Sequence, residues 1–521
     1  MTSWNVAATA GLILFLALPA PAQDMVELQD GRIVSGPKMT RTGDGITVHY
    51  RNGEILIPKD MVRIASVTGS EGGGQESLSD EDKAQLEKGL VRLKGRWVKA
   101  AVRDRTLKRI RDKSRKKIEE AMKRRHWRNR YKLRTRNFAF EYTINPEKAK
   151  EYADLMEVYF KVFTKEWKIR PPSGTKKLKV CFYHDPEYYH QVSGAPRGVI
   201  GYFRFVAPKE LNFYYERLDE RMTIDVMFHE TNHYLTHLIN PKFLYPSWVN
   251  ESLAEYYGAS HWDPKKKKMS VGHIQEGRLT VIQDAISNDN WQMLEPLIEL
   301  EKSAFNATHY AWGWSFVHFL LQNKKYAKGF KRFYIALAKD KSIKRKTWNF
   351  DMVTAEPSEQ IKALKKHLKL KSLDALEKAW HEYIKGLKAT SHRGWTRGGA
   401  LYLSRGMPLK ARRFFETAIK MGNKNPITYY NLGRACLQKR DYPAAEEAFR
   451  NAIAIDPLNG VFYVRLARCR ESQTDEKDEE VRRLKRLALE IDPHNDEVIR
   501  MLGFDDILKE AFAKPPKKGG S

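Results

Sequence analysis

The sequence of 521 residues predicts an α+β, multidomain fold. Three observations carry that expectation. Short alternating apolar segments broken by Asp-Gly and Asn-Gly turns occupy the beginning, aromatic-rich strands followed by helical patterns occupy the middle, and a helical pattern of period 34 occupies the end. A chain of this length exceeds one ordinary core, and about two to four domains are expected. Hydrophobic residues at 42% and aromatic residues at 11% supply ample material for those cores. No internal apolar run reaches the roughly eighteen residues that a membrane-spanning helix needs.

The first 22 residues read as a signal peptide. Val6 to Leu18 has the length of its apolar core, and Ala20-Pro21-Ala22 gives the small-residue pattern for cleavage after Ala22, although no Lys or Arg precedes the run. Export to a periplasmic or extracellular location is therefore expected. Residues 23–68 follow as a small β-domain, with Gly31-Arg-Ile-Val, Asp44-Gly45-Ile-Thr-Val-His-Tyr and Asn52-Gly53-Glu-Ile-Leu-Ile as its strands. Residues 69–80, rich in Gly, Ser and acid, read as a flexible linker.

Residues 81–136 read as a basic helical segment, with Leu86, Leu90, Leu93 and Trp97 at i, i+4, i+7 and i+11. Roughly twenty Lys and Arg lie between Lys88 and Arg136 against about four acids. Two readings stand: a solvated helix whose apolar stripe packs on the next domain, or a contact for an anionic polymer or membrane surface through residues 88–136. The net charge of +29 suits an anionic partner, and no sequence-specific nucleic acid reader is expected. The three cysteines, Cys181, Cys436 and Cys469, are too few and scattered for a disulfide framework, and Cys436 and Cys469 read as buried apolar residues in helical patterns.

From residue 137 the pattern runs strand, helix, strand, helix, hairpin: Phe138 to Tyr142, Glu147 to Trp167, Lys177 to Tyr183, Asp185 to Val192, then two aromatic strands from Gly198 and from Glu210. The second of these, Leu211 to Glu216, reads as a sheet edge on which an extended substrate backbone can pair. The pattern beyond Glu255 is mostly helical, and the domain closes near residue 390.

The chemistry concentrates in Asp225-Val-Met-Phe-His229-Glu230-Thr-Asn-His233 and in Trp248-Val-Asn-Glu251-Ser-Leu-Ala-Glu255. His229 and His233 are four apart, so a helix stacks both imidazoles on one face, close enough to share one zinc ion. Glu230 sits beside them, placed to take the proton of a metal-bound water. The leading candidate for the third ligand is Glu251, eighteen positions past His233, because Pro241 and Pro246 break the first helix and Ser247 can cap a second. Glu255 repeats the four-residue spacing and can support a ligand histidine through its other nitrogen. His237, one turn beyond His233, reads as a supporting or surface histidine.

These segments, with Tyr310-Ala-Trp-Gly-Trp-Ser-Phe-Val-His-Phe-Leu, make residues 137–390 resemble a peptidase MA-like, or gluzincin, domain of a secreted bacterial type. The resemblance implies a mixed sheet with a helical subdomain, one catalytic zinc on His229, His233 and Glu251, and Tyr310 as a second donor to the developing oxyanion. Ser252 stands where many members have glycine. No glycine-rich exopeptidase motif is present, so aminopeptidase activity is not implied.

Residues 391–513 repeat: Gly398-Gly399, Leu432-Gly433 and Leu466-Ala467 are spaced by 34, as are Ala418 and Ala452. With Tyr442-Pro-Ala-Ala445-Glu-Glu-Ala448-Phe, they resemble about three tetratricopeptide repeats, a helix-turn-helix array whose surface binds protein partners or packs on its own chain. Residues 514–521 read as a basic flexible tail. The expected function is an exported zinc metallopeptidase of endopeptidase type acting on a peptide or protein substrate. The rival expectation is a scaffold protein that retains a zinc site and docks partners or an anionic surface.

Overall fold

The computed structural model describes residues 23–70, 80–263, 265–266, 268–349, 351–473, 478–493, 495–503 and 507. The expected signal peptide, most of the expected linker and the expected basic tail lie outside the described residues. The chain forms two units, Met1–Glu119 and Glu120–Ser521.

The first unit carries the expected small β-domain as two sheets, antiparallel except where Gly69–Ser70 pairs parallel with Lys38–Arg41. Strands Ile33–Ser35, Met25–Leu28 and Val62–Ser66 form one sheet, and Gly53–Pro58, Gly45–Tyr50, Lys38–Arg41 and Gly69–Ser70 form the other. The Asn-Gly turn brings Tyr50 opposite Gly53, and the alternation it sets buries Ile46, Val48, Ile55 and Ile57 on one face.

Residues 81–136 are not one helical segment. A short helix, Asp80–Glu87, is followed by a hairpin of Leu90–Leu93 with Arg96–Lys99, and only then by the helix Ala100–Arg124. Gly89, Lys94 and Gly95 have φ of +70°, +50° and +78°, and a right-handed helix cannot pass through such residues. Leu90, Leu93 and Trp97 therefore match a helical period by coincidence and lie on strands. On Ala100–Arg124 the residues Val102, Leu107, Ile110 and Met122 are exposed, while Ile118 is buried.

The second unit is mixed α and β with helical repeats at its end. Its sheet begins with β1 (Tyr131–Arg134), inside the stretch expected to be helical, and continues with β2 (Phe138–Tyr142), β3 (Leu178–Tyr183), β4 (Gly201–Arg204) and β5 (Glu210–Tyr214). The order is β1-β2-β3-β5-β4, with β2, β3 and β5 parallel and the two outer strands antiparallel. The strand at Leu211 to Glu216 is thus not an edge: β5 lies between β3 and β4, and β4 is the edge. A parallel pairing with β3 is a long-range contact that the local hairpin pattern cannot display.

One face of the sheet, with Phe138, Phe140, Val180, Phe182, Leu211 and Phe213, packs in one core with α1 (Pro146–Glu166) and α2 (Glu220–His237). The other face, with Cys181, Tyr183 and Tyr214, is covered by Tyr189 of the helix Pro186–Ser193. Helix α1 starts at Pro146 with Asn145 accepting from the Glu147 amide, and α2 starts where Asp219 accepts from the Met222 amide. Next come α3 (Ser247–Gly258), α4 (Glu276–Ser287) and α5 (Ala307–Gln322). Ser247 is the first residue of α3 rather than its cap; Pro246 occupies the cap position with no side-chain bond.

The end of the chain stacks helix pairs: α6 (His392–Ser404) with α7 (Pro408–Lys420), α8 (Pro426–Gln438) with α9 (Tyr442–Ile455), and α10 (Gly460–Glu471) with α11 (Glu479–Ile491). A Cβ on Gly399 would lie 2.6 Å from the Phe415 ring, and one on Gly433 would lie 2.6 Å from the Phe449 ring. Both pairs of positions differ by 34, so the close approach of the two helices is repeated in register. The array is bonded to the rest of its unit: Glu276 of α4 accepts from the amides of Thr390, Ser391 and Gly394 at 2.8, 3.0 and 3.1 Å, and Arg217 pairs with Asp456 at 2.7 Å.

Candidate metal centre

Helix α2 crosses the sheet next to β4 and β5 with Met227, Phe228, Tyr234 and Leu235 buried, and this fixes its rotation. Asn232 Nδ2 donates to the Tyr159 hydroxyl at 2.8 Å and ties it to α1. The face left over carries His229, Glu230 and His233. Helix α3 faces it through Glu251 and Glu255, both buried. Trp248 anchors α3 from behind, donating from Nε1 to Gln360 at 2.7 Å.

These two helices bring His229, His233 and Glu251 together, with one ligand atom of each within 4.8 Å of the others. Glu251 Oε2 lies 3.3 Å from His229 Nε2 and 3.4 Å from His233 Nε2. Two imidazole nitrogens and a carboxylate oxygen this close together are a donor set that a metal ion could bridge. On the far side of His229, Glu255 Oε1 is 3.5 Å from Nδ1.

Sequence reasoning missed what holds Glu255. Arg278 of α4 grips it with both arms of the guanidinium, Nε to Oε2 at 3.0 Å and Nη2 to Oε1 at 2.7 Å, and stacks over the Tyr310 ring at 5.3 Å. Tyr310, in the first turn of α5, lies 6.3 Å from the His229 ring between centroids. Ser252 fits because α5 presents Gly313 to it; a Cβ there would lie 2.1 Å from the Ser252 hydroxyl, which donates to the Trp248 carbonyl.

The electrostatics follow from burial and pairing. Burial opposes a charge on His229, but Glu251, with Glu230 and Glu255 nearby, pushes it up to about 9 in the metal-free chain. Burial likewise opposes charge on Glu251, yet the two histidines hold it well below the usual carboxylate range. Glu255 is lowered against its burial by Arg278. Tyr310 is raised by burial and then by Glu251, so its hydroxyl keeps its proton at neutral pH.

His237 extends the histidine face but is not a further ligand of this cluster. It is buried, and its Nε2 accepts from Lys209 Nζ at 2.7 Å; burial and then Lys209 push it down to about 4. His309 is occupied in a capping box with Asn306 at the start of α5. One turn before His229, buried Asp225 is paired with Arg221 at 2.7 Å and with Arg393 of α6 at 3.2 Å, which links the repeat array to α2. No sequence signal marks this link, because its partners lie 168 residues apart.

Two cavities flank the cluster, and His229, Glu230, Tyr310 and Gly201 line both. One, of about 610 Å³, extends to Arg397 and Ser404 of α6; the other, of about 260 Å³, extends past Tyr202 and Phe203 of β4 to His237. The cluster therefore sits within a cleft open to both sides.

The mixed α and β architecture ending in helical repeats has two matches among protein families. Residues 426–459 match the tetratricopeptide repeat, which covers α8, α9 and their turns, and such repeats are in general protein–protein interaction modules. Residues 223–344 match a family described as a protein of unknown function (DUF1570). That stretch contains His229, Glu230, His233, Glu251, Glu255, Arg278 and Tyr310. A comparison with curated proteins found no match.

Proposed function

We propose that the chain is an exported zinc metallopeptidase of gluzincin type that cleaves within a polypeptide. One observation carries this reading: two imidazoles four residues apart on α2 and a buried carboxylate on α3 converge at 3.3 and 3.4 Å, with Glu230 beside them in an open cleft. His229 Nε2, His233 Nε2 and Glu251 Oε2 would hold the ion and leave a fourth position for water. Bound zinc would supply a Lewis acid that polarises a peptide carbonyl and lowers the pKa of water.

The rest is work for the chain's own residues. Glu230 takes the proton of the attacking water and passes it to the departing amine. The Tyr310 hydroxyl donates to the oxyanion that develops on the former carbonyl oxygen. Glu255, gripped by Arg278, holds His229 in the orientation that turns Nε2 toward Glu251. The edge strand β4 offers its free backbone groups to an extended substrate, and the cleft open on both sides favours cleavage inside a chain over removal of end residues.

The test is a digest of an unbiased peptide library by the full chain, before and after chelation and again after zinc is restored. Cleavage that disappears with the metal and returns with zinc is expected. Cleavage indifferent to chelation removes the metal from the reaction. A zinc-bound chain that cuts nothing in the library favours the scaffold reading, to which the tetratricopeptide match lends support.

A further inference from the structure

The repeat register extends the metal cleft. Arg397, Ala400 and Ser404 of α6 line the cavity of about 610 Å³ that holds His229 and Glu230. The Gly399–Phe415 and Gly433–Phe449 approaches show that a shift of 34 residues carries one helix pair onto the next. That shift takes Arg397 to Asn431 and then to Arg465, and Ala400 to Arg434 and then to Arg468. The helix face that carries Arg397 and Ala400 on α6 thus recurs on α8 and α10.

The acidic residues are unevenly placed between the two helices of each pair. Helices α6 and α8 contain no Asp or Glu, and α10 has none before its last residue, Glu471, which bonds Lys485 at 2.7 Å. The second helices of the pairs, by contrast, carry Glu416, Glu446, Glu447, Glu479, Glu480 and Glu490. Arg434 and Arg465 both lie against the Tyr430 ring, at 5.7 and 5.9 Å. Their polar contacts are to neutral groups: Arg434 donates to Asn431 at 3.0 Å and Arg465 to the Tyr430 hydroxyl at 3.3 Å. Arg468 donates to the Met501 carbonyl. Among the described residues no carboxylate pairs with any of the three, so their charges remain available to a ligand.

We propose that the first helices of the repeats form a basic groove continuous with the metal cleft, and that it holds an acidic stretch of the same polypeptide whose neighbouring segment lies at His229 and Glu230. The proposal rests on the peptidase reading for the second half of that statement. The first half, selection of acidic polypeptide, is read by binding alone. The two guanidinium groups lie 5.7 and 5.9 Å from the same Tyr430 ring, and guanidinium pairs suit carboxylates on an extended chain.

The experiment uses the full chain carrying Glu230→Gln and two fluorescent peptides of equal length, one with a glutamate block beside a neutral segment and one with the block replaced by serine. Fluorescence anisotropy at low salt should show the acidic peptide bound about tenfold or more tighter, as charge-assisted contacts require. Added salt should erode that preference. R434Q/R465Q, which replaces both guanidinium groups with neutral amides, should abolish it; R413Q/K420Q on α7 removes the same charge elsewhere and should not. Equal affinity for the two peptides, or a preference that survives R434Q/R465Q, overturns the groove. Polyphosphate displacing the acidic peptide more strongly than polyglutamate overturns the polypeptide assignment. With Glu230 restored, the acidic peptide should be cut with a higher kcat/KM than the neutral one. Equal kcat/KM with intact arginine-dependent binding overturns continuity with the cleft. Failure to cut either peptide with that binding intact counts against the peptidase reading and not against the groove.

Discussion

Arg278→Met should loosen the metal centre without touching a metal-ligand candidate. Arg278 makes both of its bonds, at 2.7 and 3.0 Å, to Glu255, whose side chain is 8% exposed. Removing one member of a buried ion pair costs about 3–5 kcal/mol because the remaining charge is left without a partner. The Arg278 side chain is 29% exposed, so water partly replaces it, and the lower end, about 3 kcal/mol, is expected. A loss of that size lowers Tm by several degrees in a chain of this length. Glu255 also stands 3.5 Å from His229 Nδ1, and loss of such an outer partner costs about 10–100-fold in metal affinity. The assay is thermal unfolding of the metal-free chain together with competitive zinc titration. E255Q/R278M should regain part of the lost stability, since no buried charge remains, while its zinc affinity stays low. An R278M chain that unfolds at the parental temperature and binds zinc with parental affinity refutes this account of the arginine.

Three further outcomes follow from the same geometry. On the proposed role of its hydroxyl as donor to the oxyanion, Tyr310→Phe should lower kcat by about 10²-fold; an unchanged kcat assigns Tyr310 to packing. Gly313→Ala should destabilise by about 1–3 kcal/mol, since its Cβ meets the Ser252 hydroxyl, and S252G/G313A should recover most of that loss in denaturant unfolding. His318, buried with Nδ1 accepting from the Tyr383 hydroxyl and Nε2 donating to the Gly272 carbonyl, is pushed by burial down to about 4. The unfolded chain binds that proton near pH 6.5, so the stabilisation is complete above that pH and is lost as pH falls toward 4, by about 3 kcal/mol. His318→Gln should flatten the fall in urea midpoint over this range, and an unaltered pH dependence contradicts the assignment.

What was legible in the sequence was whatever local periodicity encodes. His229 and His233 share a helical face, Glu251 and Glu255 share another, and the 34-residue spacing reappears as stacked helix pairs. Reasoning from period failed where backbone chirality overrode it, at Gly89, Lys94 and Gly95, which turn an apparent helical stripe into a hairpin. It also failed where partners are distant. The insertion of β5 between β3 and β4 moved the sheet edge to Gly201–Arg204, and Arg278 and Arg393 reach the site from helices whose sequences show only amphipathic patterning. Such contacts depend on how helices cross in space, and no residue spacing within either helix announces them.

The most direct test of the central claim is a paired measurement on Glu230→Gln. Zinc per chain and turnover of a library-derived peptide are determined for this variant and for the parent chain under the same conditions. The proposed reading gives Glu230 the proton transfer, and Glu230 is not among the three converging donors, so one zinc per chain in both proteins, with turnover lost in the variant, is the predicted result. Parental turnover in Glu230→Gln, or a parent chain that binds no zinc, contradicts the account.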